Sequence, residues 1–465
     1  MESLQRSPGV PASLLLTDLY QLNMMQAYFD AGLDDTAVFE FFVRKLPAQR
    51  NFLVAAGVEQ ALAFLEGARF TEEELDWLAA SGRFTDDFLA YLRELRFTGD
   101  VDAVAEGTIV FPNEPILRVT APMPVAQLVE TRLINLLHTS VLVASKAARM
   151  RLAAPEAQLV DFGLRRAHGA EAGLLAARAA YVAGFDATAT VPAQPMFAIP
   201  IAGTMAHSYV EAHDSELAAF RSFARARPDD VVLLIDTYDT VRAAHKVVAL
   251  APELAREGIA IKGVRIDSGD LDALSRRVRE ILDAGGLADV QVMVSGGLDE
   301  WKLRRLVRGG APIAGYGIGT ALTTSEDAPA LDCAYKLQEY AGTLRRKLSS
   351  GKATWPGRKQ VWRRTDADGC LAGDTLGFED ETEVAGTPLL QPAMRAGARA
   401  APAPTLAQNR ATCSAGLAAL PDGLRKLDPA PEAYPVTIHQ RLNDAAARLA
   451  DEIGRRSRDE TLPNG

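Results

Sequence analysis

Five short runs in this sequence combine residue types that can do chemistry together. His207 follows Ile199-Pro200-Ile201-Ala202-Gly203-Thr204-Met205-Ala206, where a short apolar run ends in Gly-Thr and helical periodicity resumes after the histidine. A neutral imidazole near physiological pH can act as acid, base or nucleophile, and it can carry phosphate covalently. Asp161-Phe162-Gly163-Leu164-Arg165-Arg166 sets an aromatic face beside two guanidinium groups, a combination that suits a flat anionic ring or a phosphate. Val264-Arg265-Ile266-Asp267-Ser268-Gly269-Asp270 puts a cation and two acids around a turn, where Mg²⁺ or ribose hydroxyls can be held. Ser295-Gly296-Gly297 and Gly315-Tyr316-Gly317-Ile318-Gly319-Thr320 offer bare backbone, whose N–H groups can approach a phosphate closely. Each run alone has an ordinary explanation: a packed histidine, a surface Arg pair, an Asp helix cap, a turn. The case for a site is that all of them close successive elements of one kind.

Those elements are strands. From residue 158 apolar strand patterns at 158–162, 197–201, 231–235, 261–266, 290–294 and 312–316 alternate with helical ones. Asp236, Asp267 and Gly296 close three successive strands at intervals of about thirty residues, the length of one βα unit. An open doubly wound sheet would give the same series. Functional groups at many C-terminal strand ends favour an irregular (β/α) barrel, whose sites gather at that face. His207 then lies where a strand empties into a loop that opens a helix, and the unpaired N–H groups of a helix start attract phosphate.

Ahead of the barrel, Thr17 or Asp18 can cap a helix that carries Tyr20 in its first turn and ends at Gly32. A strand is predicted at 38–43, followed by helices begun by the Thr71/Glu74 capping box and by Thr85. Short strands over 97–120 are separated by Gly107, Pro112 and Pro115, and a helix over 125–152 packs Leu128, Leu133, Leu136 and Leu137. After residue 321 basic segments return to the first domain, 386–404 reads as an exposed Ala/Pro/Gly connection, and a last amphipathic helix lies near 444–455. The expected division is an N-terminal α+β domain (1–125), a barrel domain (126–340) and a C-terminal segment (341–465) that rejoins the first domain.

Composition narrows the class. A chain of 465 residues exceeds what one core usually supports, and 48% hydrophobic with 24% charged residues is ordinary for a globular protein. A net charge of −10 argues against a nucleic-acid surface. The three cysteines, Cys333, Cys370 and Cys413, are too few and scattered for a disulfide framework and fit a reducing compartment, with the cytoplasm as the default. Residues 1–13 lack an apolar leader and no run of about 18 apolar residues follows, so neither export nor a membrane partner is expected.

Thr17-Asp18-Leu19-Tyr20-Gln21, Phe162-Gly163-Leu164-Arg165-Arg166, Gly203-Thr204-Met205-Ala206-His207-Ser208, Arg265-Ile266-Asp267-Ser268-Gly269-Asp270 and Gly317-Ile318-Gly319-Thr320 together resemble the ordered motifs of nicotinate phosphoribosyltransferase. The resemblance spans residues 17–320, and 347–362 is similar to a later basic segment of that family. It implies an α/β fold of the type II phosphoribosyltransferase kind: an irregular (β/α) barrel with a second α+β domain built from both chain ends, paired as a homodimer with shared active sites. It also implies a ligase-type reaction for NAD salvage, in which nicotinate and phosphoribosyl pyrophosphate give nicotinate mononucleotide and pyrophosphate. ATP is the co-substrate, hydrolysed through a phosphohistidine, and Mg²⁺ the cofactor.

Carried over by residue, the resemblance puts Tyr20 of a neighbouring subunit and Phe162 on opposite faces of the pyridine ring. It gives Thr204 and Arg265 to nicotinate's carboxylate, makes His207 the phosphorylated residue, and has Asp267 position ribose and its metal. Arg165, Arg166, Gly297, Gly319 and Thr320 then hold the phosphoribosyl and phosphate groups. The segment Ala187-Thr188-Ala189-Thr190-Val191-Pro192 departs from the family's small hydroxylated residues and Asn. Nicotinamide-specific relatives place a carboxylate near Ala189, and its absence favours an acid substrate, which a carboxylate would repel. A quinolinate phosphoribosyltransferase would need a denser basic cluster for two ring carboxylates and would release CO₂ without ATP. A barrel that only binds nucleotides should have lost His207 or Asp267, and both are present.

Overall fold

The computed structural model describes residues 13–349 and 354–459. It has two compact units, Lys146–Pro329 and a second formed from Met1–Ser145 with Ala330–Gly465. The first unit is narrower than the 126–340 span read from the sequence.

In the unit Lys146–Pro329 the parallel strands lie in the order Ala187–Thr188, Gln158–Asp161, Gly315–Ile318, Gln291–Ser295, Ile261–Ile266, Val231–Leu234. The strand that comes first in this unit, Gln158–Asp161, pairs with the last, Gly315–Ile318, in parallel. The other pairings join strands adjacent in sequence, and Ala187–Thr188 and Val231–Leu234 stand at the two edges. First-to-last pairing is what curls such a series into a barrel. The curl is incomplete. The strand expected at 197–201 is reduced to a single bridge between Thr188 and Ile201, after a helix at Ala193–Phe197. Pro200 has no N–H for a ladder, and Ala198 sits at φ 57°, outside the extended region, so the segment cannot run as a regular strand. The predicted apolar run was real, but its proline and turn chemistry prevailed. Ala187–Thr188 is the strand that the sequence reading missed, and the last strand lies at Gly315–Ile318 rather than 312–316.

Helices follow the strands, begun by acids that cap them: Asp239 accepts from Arg242 N, Asp270 from Ala273 N and Asp299 from Lys302 N. A buried ion cluster braces the unit, with Lys146 Nζ 2.6 Å from Glu300 and 2.8 Å from Asp327, and Arg149 Nε 3.1 Å from the same Glu300.

The second unit is built around Thr36–Val43, which pairs antiparallel with Cys333–Tyr340 on one side and Pro115–Pro122 on the other. One central strand from the first part of the chain thus takes a neighbour from the last part. Two helix starts read from sequence are capped as expected: Thr71 and Glu74 form the capping box, and Thr85 accepts from Phe88 N. The helix Leu19–Asp30 has no side-chain cap from Thr17 or Asp18, whose carboxylate accepts from Thr131 Oγ1 instead. The region 386–404 is no mere connection, since it carries strands Thr387–Pro388, Gln391–Arg395 and Ala398–Arg399. The closing helix is longer than 444–455, at Gln440–Asp459. Two cations near the end of the basic stretch answer buried acids: Lys359 lies 2.7 Å from Glu40, and Arg363 forks onto Asp374. Burial pulls the Lys359 ammonium below its usual range, while Glu40 opposes that shift. Among the described residues no helix is long and apolar enough to cross a membrane.

Candidate functional site

The strand ends of the curled sheet bring together much of the set picked out by sequence. Arg265 is the next-to-last residue of Ile261–Ile266, and its guanidinium carbon lies 5.8 Å from the centre of the Phe162 ring. Its Nη2 donates to the Met205 carbonyl at 2.7 Å, which ties this strand end to the loop carrying Thr204 and His207. The Arg265 Nε is buried without a hydrogen-bond partner. Burial pushes the guanidinium below its ordinary value and Arg165 adds to that, against the pull of Asp267 and Asp236. An arginine starts so far above neutrality that it stays cationic.

Phe162 is held from below. Its N–H donates to Ile318 O at 2.8 Å, and its ring covers Gly317, where an added Cβ would lie 2.5 Å from ring carbon Cδ2. Gly317 is therefore a strand residue that makes room for an aromatic face, where the sequence suggested bare backbone for phosphate. Gly319 and Thr320 stand at the following turn, with Gly319 preceding the short helix Thr320–Thr323.

His207 opens a helix of only five residues, His207–Glu211, too short for the phosphate-attracting helix start expected from sequence. Its surroundings are side chains instead. Nδ1 lies 3.2 Å from Thr237 Oγ1, and Nε2 lies 3.9 Å from Asp267 Oδ2. The imidazole is 40% exposed, open enough for a ligand to reach. The other carboxylate oxygen of Asp267 accepts from the Ser295 hydroxyl. Asp236 supports the same turn, its Oδ2 accepting from Asp267 N at 3.0 Å and from Ser268 Oγ at 2.6 Å. Its Oδ1 is buried with no hydrogen-bond partner. Of the two acids in the Asp267–Asp270 turn, then, Asp270 is a helix cap and Asp267 faces histidine.

Gly296 adopts φ 95°, and an added Cβ would collide with the Asp267 carbonyl, so this glycine is required by close approach. Gly297 follows at φ 57°, and its carbonyl accepts from Lys302 Nζ. A cavity of about 530 Å³ adjoins this turn, lined by Asp267, Ser268, Asp270, Gly296, Lys302 and Arg305 among others. Arg165 and Arg166 are exposed on the turn Leu164–Arg166, and Thr204 donates only a long 3.4 Å hydrogen bond to Met205 O. Tyr20 belongs to the other unit, on the helix Leu19–Asp30, where it is 48% exposed. Its hydroxyl accepts from Gln21 Nε2 at 2.9 Å and lies 3.5 Å from Glu130 Oε2.

Thr237 and the Met205 carbonyl receive no role from the sequence, and Ser295 only a backbone one. Asp236 had been noted as a strand-closing acid and given none. Its spacing from Asp267 was the available signal. A phosphoryl or glycosyl centre is what this floor can serve: a histidine beside a carboxylate, a second acid with a free oxygen, and a cation standing over an aromatic ring.

Comparison with known proteins agrees. Residues 15–138 match the nicotinate phosphoribosyltransferase (NAPRTase) N-terminal domain and residues 157–346 match the nicotinate phosphoribosyltransferase (NAPRTase) family. A nicotinate phosphoribosyltransferase of Mycobacterium tuberculosis is 47% identical over 436 residues, 94% of this chain and 93% of its own. The Homo sapiens nicotinate phosphoribosyltransferase is 33% identical over 511 residues, covering 92% of this chain and 95% of that protein. The crystal structure of human nicotinic acid phosphoribosyltransferase superposes with a TM-score of 0.85 at 31% identity, over 93% of this chain and 99% of that one. A nicotinate-nucleotide pyrophosphorylase from Pyrococcus furiosus, 23% identical with a TM-score of 0.69 over 89% of this chain and 95% of its own, shares the fold.

Proposed function

This chain belongs to the nicotinate phosphoribosyltransferase family and transfers phosphoribosyl to nicotinate; from that premise we propose that the strand-end floor around Arg265, His207 and Asp267 is its active site and that ATP drives it through His207. The observation that carries the proposal is the juxtaposition of Arg265 over Phe162 at 5.8 Å with the His207–Asp267 pair at 3.9 Å.

The pyridine ring of nicotinate lies on Phe162, and its carboxylate takes the fork of Arg265, whose buried Nε has a donor to spare. Thr204 is a second donor. Breaking the C1′–pyrophosphate bond builds positive charge on ribose and negative charge on the leaving group. Asp267 stabilises the first, and the backbone of Gly297, Gly319 and Thr320, with Arg165 and Arg166, stabilises the phosphates. The pyridine nitrogen carries its own lone pair, so no base is needed. Nδ1 of His207 lies 3.2 Å from Thr237 Oγ1; in the tautomer that carries its proton on Nδ1, Nε2 is the nucleophile toward the γ-phosphate of ATP, with ADP leaving.

Mg²⁺ fits the donor set. Asp236 Oδ1 is a buried, unpartnered hard oxygen beside Asp267, and Mg²⁺ is usually held by one or two carboxylates together with substrate phosphates. It would neutralise developing charge on the pyrophosphate. Tyr20, exposed next to exposed Leu16 and Leu19, supplies the second face of the pyridine sandwich in a partner subunit's site. The enzyme acts in the cytoplasm.

Product analysis with phosphoribosyl pyrophosphate and Mg²⁺ tests this, using nicotinate, nicotinamide and quinolinate in turn, with and without ATP. Nicotinate mononucleotide should form from nicotinate and be stimulated by ATP. γ-Labelled ATP should leave an acid-labile, base-stable phosphate on the parent and none on His207→Ala, which keeps weak transfer but no ATP stimulation. Acid-stable label, or undiminished stimulation in the variant, returns His207 to a positioning role.

A further inference from the structure

Phe162 and Ala189 stand just past the ends of two neighbouring strands, Gln158–Asp161 and Ala187–Thr188, and one buried side chain ties both ends together. Asp161 is 2% exposed. Its Oδ1 accepts from Gly163 N at 2.7 Å, which fixes the backbone immediately after Phe162. Its Oδ2 accepts from Thr188 Oγ1 at 2.7 Å. The Thr188 hydroxyl in turn accepts from Thr190 N at 3.0 Å, and the Asp161 carbonyl accepts from Ala189 N at 2.7 Å. Both residues flanking Ala189 are buried, while Ala189 itself is exposed at the strand end.

We propose that Asp161 is a positioning residue for nicotinate: its carboxylate locks the strand end that carries Phe162 to the neighbouring strand end at Thr188–Ala189, fixes the aromatic face of Phe162, and so governs pyridine binding without touching the ligand. This rests on the reading of Phe162 as the pyridine platform. The donor count shows what a carboxylate supplies here. Gly163 offers only an N–H, and the one hydroxyl proton of Thr188 goes to Asp161, since its oxygen already accepts from Thr190. Both partners donate here, and the carboxylate accepts on both oxygens. An Asn there keeps one acceptor for Gly163 but turns its N–H₂ toward Thr188, whose proton then loses its charged acceptor and must rotate away. Burial raises the carboxyl above its ordinary range, with the hydrogen bonds from Thr188 and Gly163 pulling the other way. A buried acid with no cation in its hydrogen-bonding shell is retained here for geometry.

The test compares parent, Asp161→Asn, Thr188→Val and Thr188→Ser by steady-state kinetics with each substrate varied, alongside thermal melts. The parent is first assayed with nicotinate, and inactivity there would sink the functional reading itself. With an active parent, Asp161→Asn should raise the nicotinate KM about tenfold, as expected for losing one charge-assisted hydrogen bond. The KM for phosphoribosyl pyrophosphate should stay put. Thr188→Val should do the same, Thr188→Ser should restore the parent value, and the Asp161→Asn/Thr188→Val double variant should be no worse than the worse single one, because both remove one link. Should Asp161→Asn not fold, the Thr188 pair decides alone. An unchanged nicotinate KM in the folded variants, or a parallel loss for both substrates that tracks a lowered Tm, overturns the inference and leaves a structural residue.

Discussion

Replacing Arg265 with Gln separates acid recognition from the rest of the reaction. The guanidinium is held by the Met205 carbonyl at 2.7 Å and stands 5.8 Å from the Phe162 ring centre, with Nε buried and unpartnered. An unpaired buried donor is unfavourable by about 1–3 kcal/mol, so a carboxylate that satisfies it gains correspondingly. A hydrogen bond between ionised groups contributes about 1.5–3 kcal/mol, and at 1.36 kcal/mol per decade its loss is roughly 10- to 150-fold. Gln is neutral and cannot fork. The carboxylate is remote from the breaking C1′ bond, so the interaction is about equal in ground and transition states and its loss appears in KM, with kcat little changed. Initial rates of nicotinate mononucleotide formation, with nicotinate varied at saturating phosphoribosyl pyrophosphate and then the reverse, read this directly. Nicotinamide serves as the comparison substrate, and the acid-over-amide ratio of kcat/KM should fall by the same factor. Arg265→Lys keeps charge without the fork and should fall between. Equal KM rises for nicotinate and phosphoribosyl pyrophosphate would refute the assignment and make Arg265 a phosphate ligand or a brace for the Met205 loop.

Two more outcomes follow from the same floor. Gly317→Ala puts a methyl 2.5 Å from the Phe162 ring, an overpacking that costs about 1–3 kcal/mol unless the ring moves, so both Tm and nicotinate affinity should drop; an unchanged nicotinate KM beside a lowered Tm would show that the ring position is immaterial to binding. Mixing inactive Tyr20→Ala with inactive Asp267→Ala subunits should restore part of the activity, since one shared site of a mixed dimer escapes both lesions, and mixed dimers that form yet stay inactive would exclude a shared site.

Local rules carry a sequence reading only as far as the next few residues. The Thr71/Glu74 capping box, the cap at Thr85 and the strand Ile261–Ile266 were all legible because propensity, capping and alternation act within one element. The order of the chemical groups was legible too, because in a βα series each strand end repeats at a fixed spacing and points to one face. The same rules misread 197–201, where the proline and turn residues outweighed apolarity, and 386–404, where an Ala/Pro/Gly composition concealed short paired strands. Which partner a group meets across the fold is another matter. Asp236 reaches Asp267 across 31 residues and Arg265 reaches Met205 across 60, contacts set by parallel register and sheet curl. Gly317 lies under Phe162 because Gly315–Ile318 pairs with Gln158–Asp161, and Lys359 neutralises Glu40 from 319 residues away because the strand it begins, Lys359–Thr365, comes from a separate sheet of the same unit. The sequence therefore determined which residue types stand at which strand ends, a matter of local backbone preference. The tertiary structure decided which of them are caps, which are braces and which are left with an unpaired buried atom, because register and burial depend on the whole chain and not on any one stretch of it.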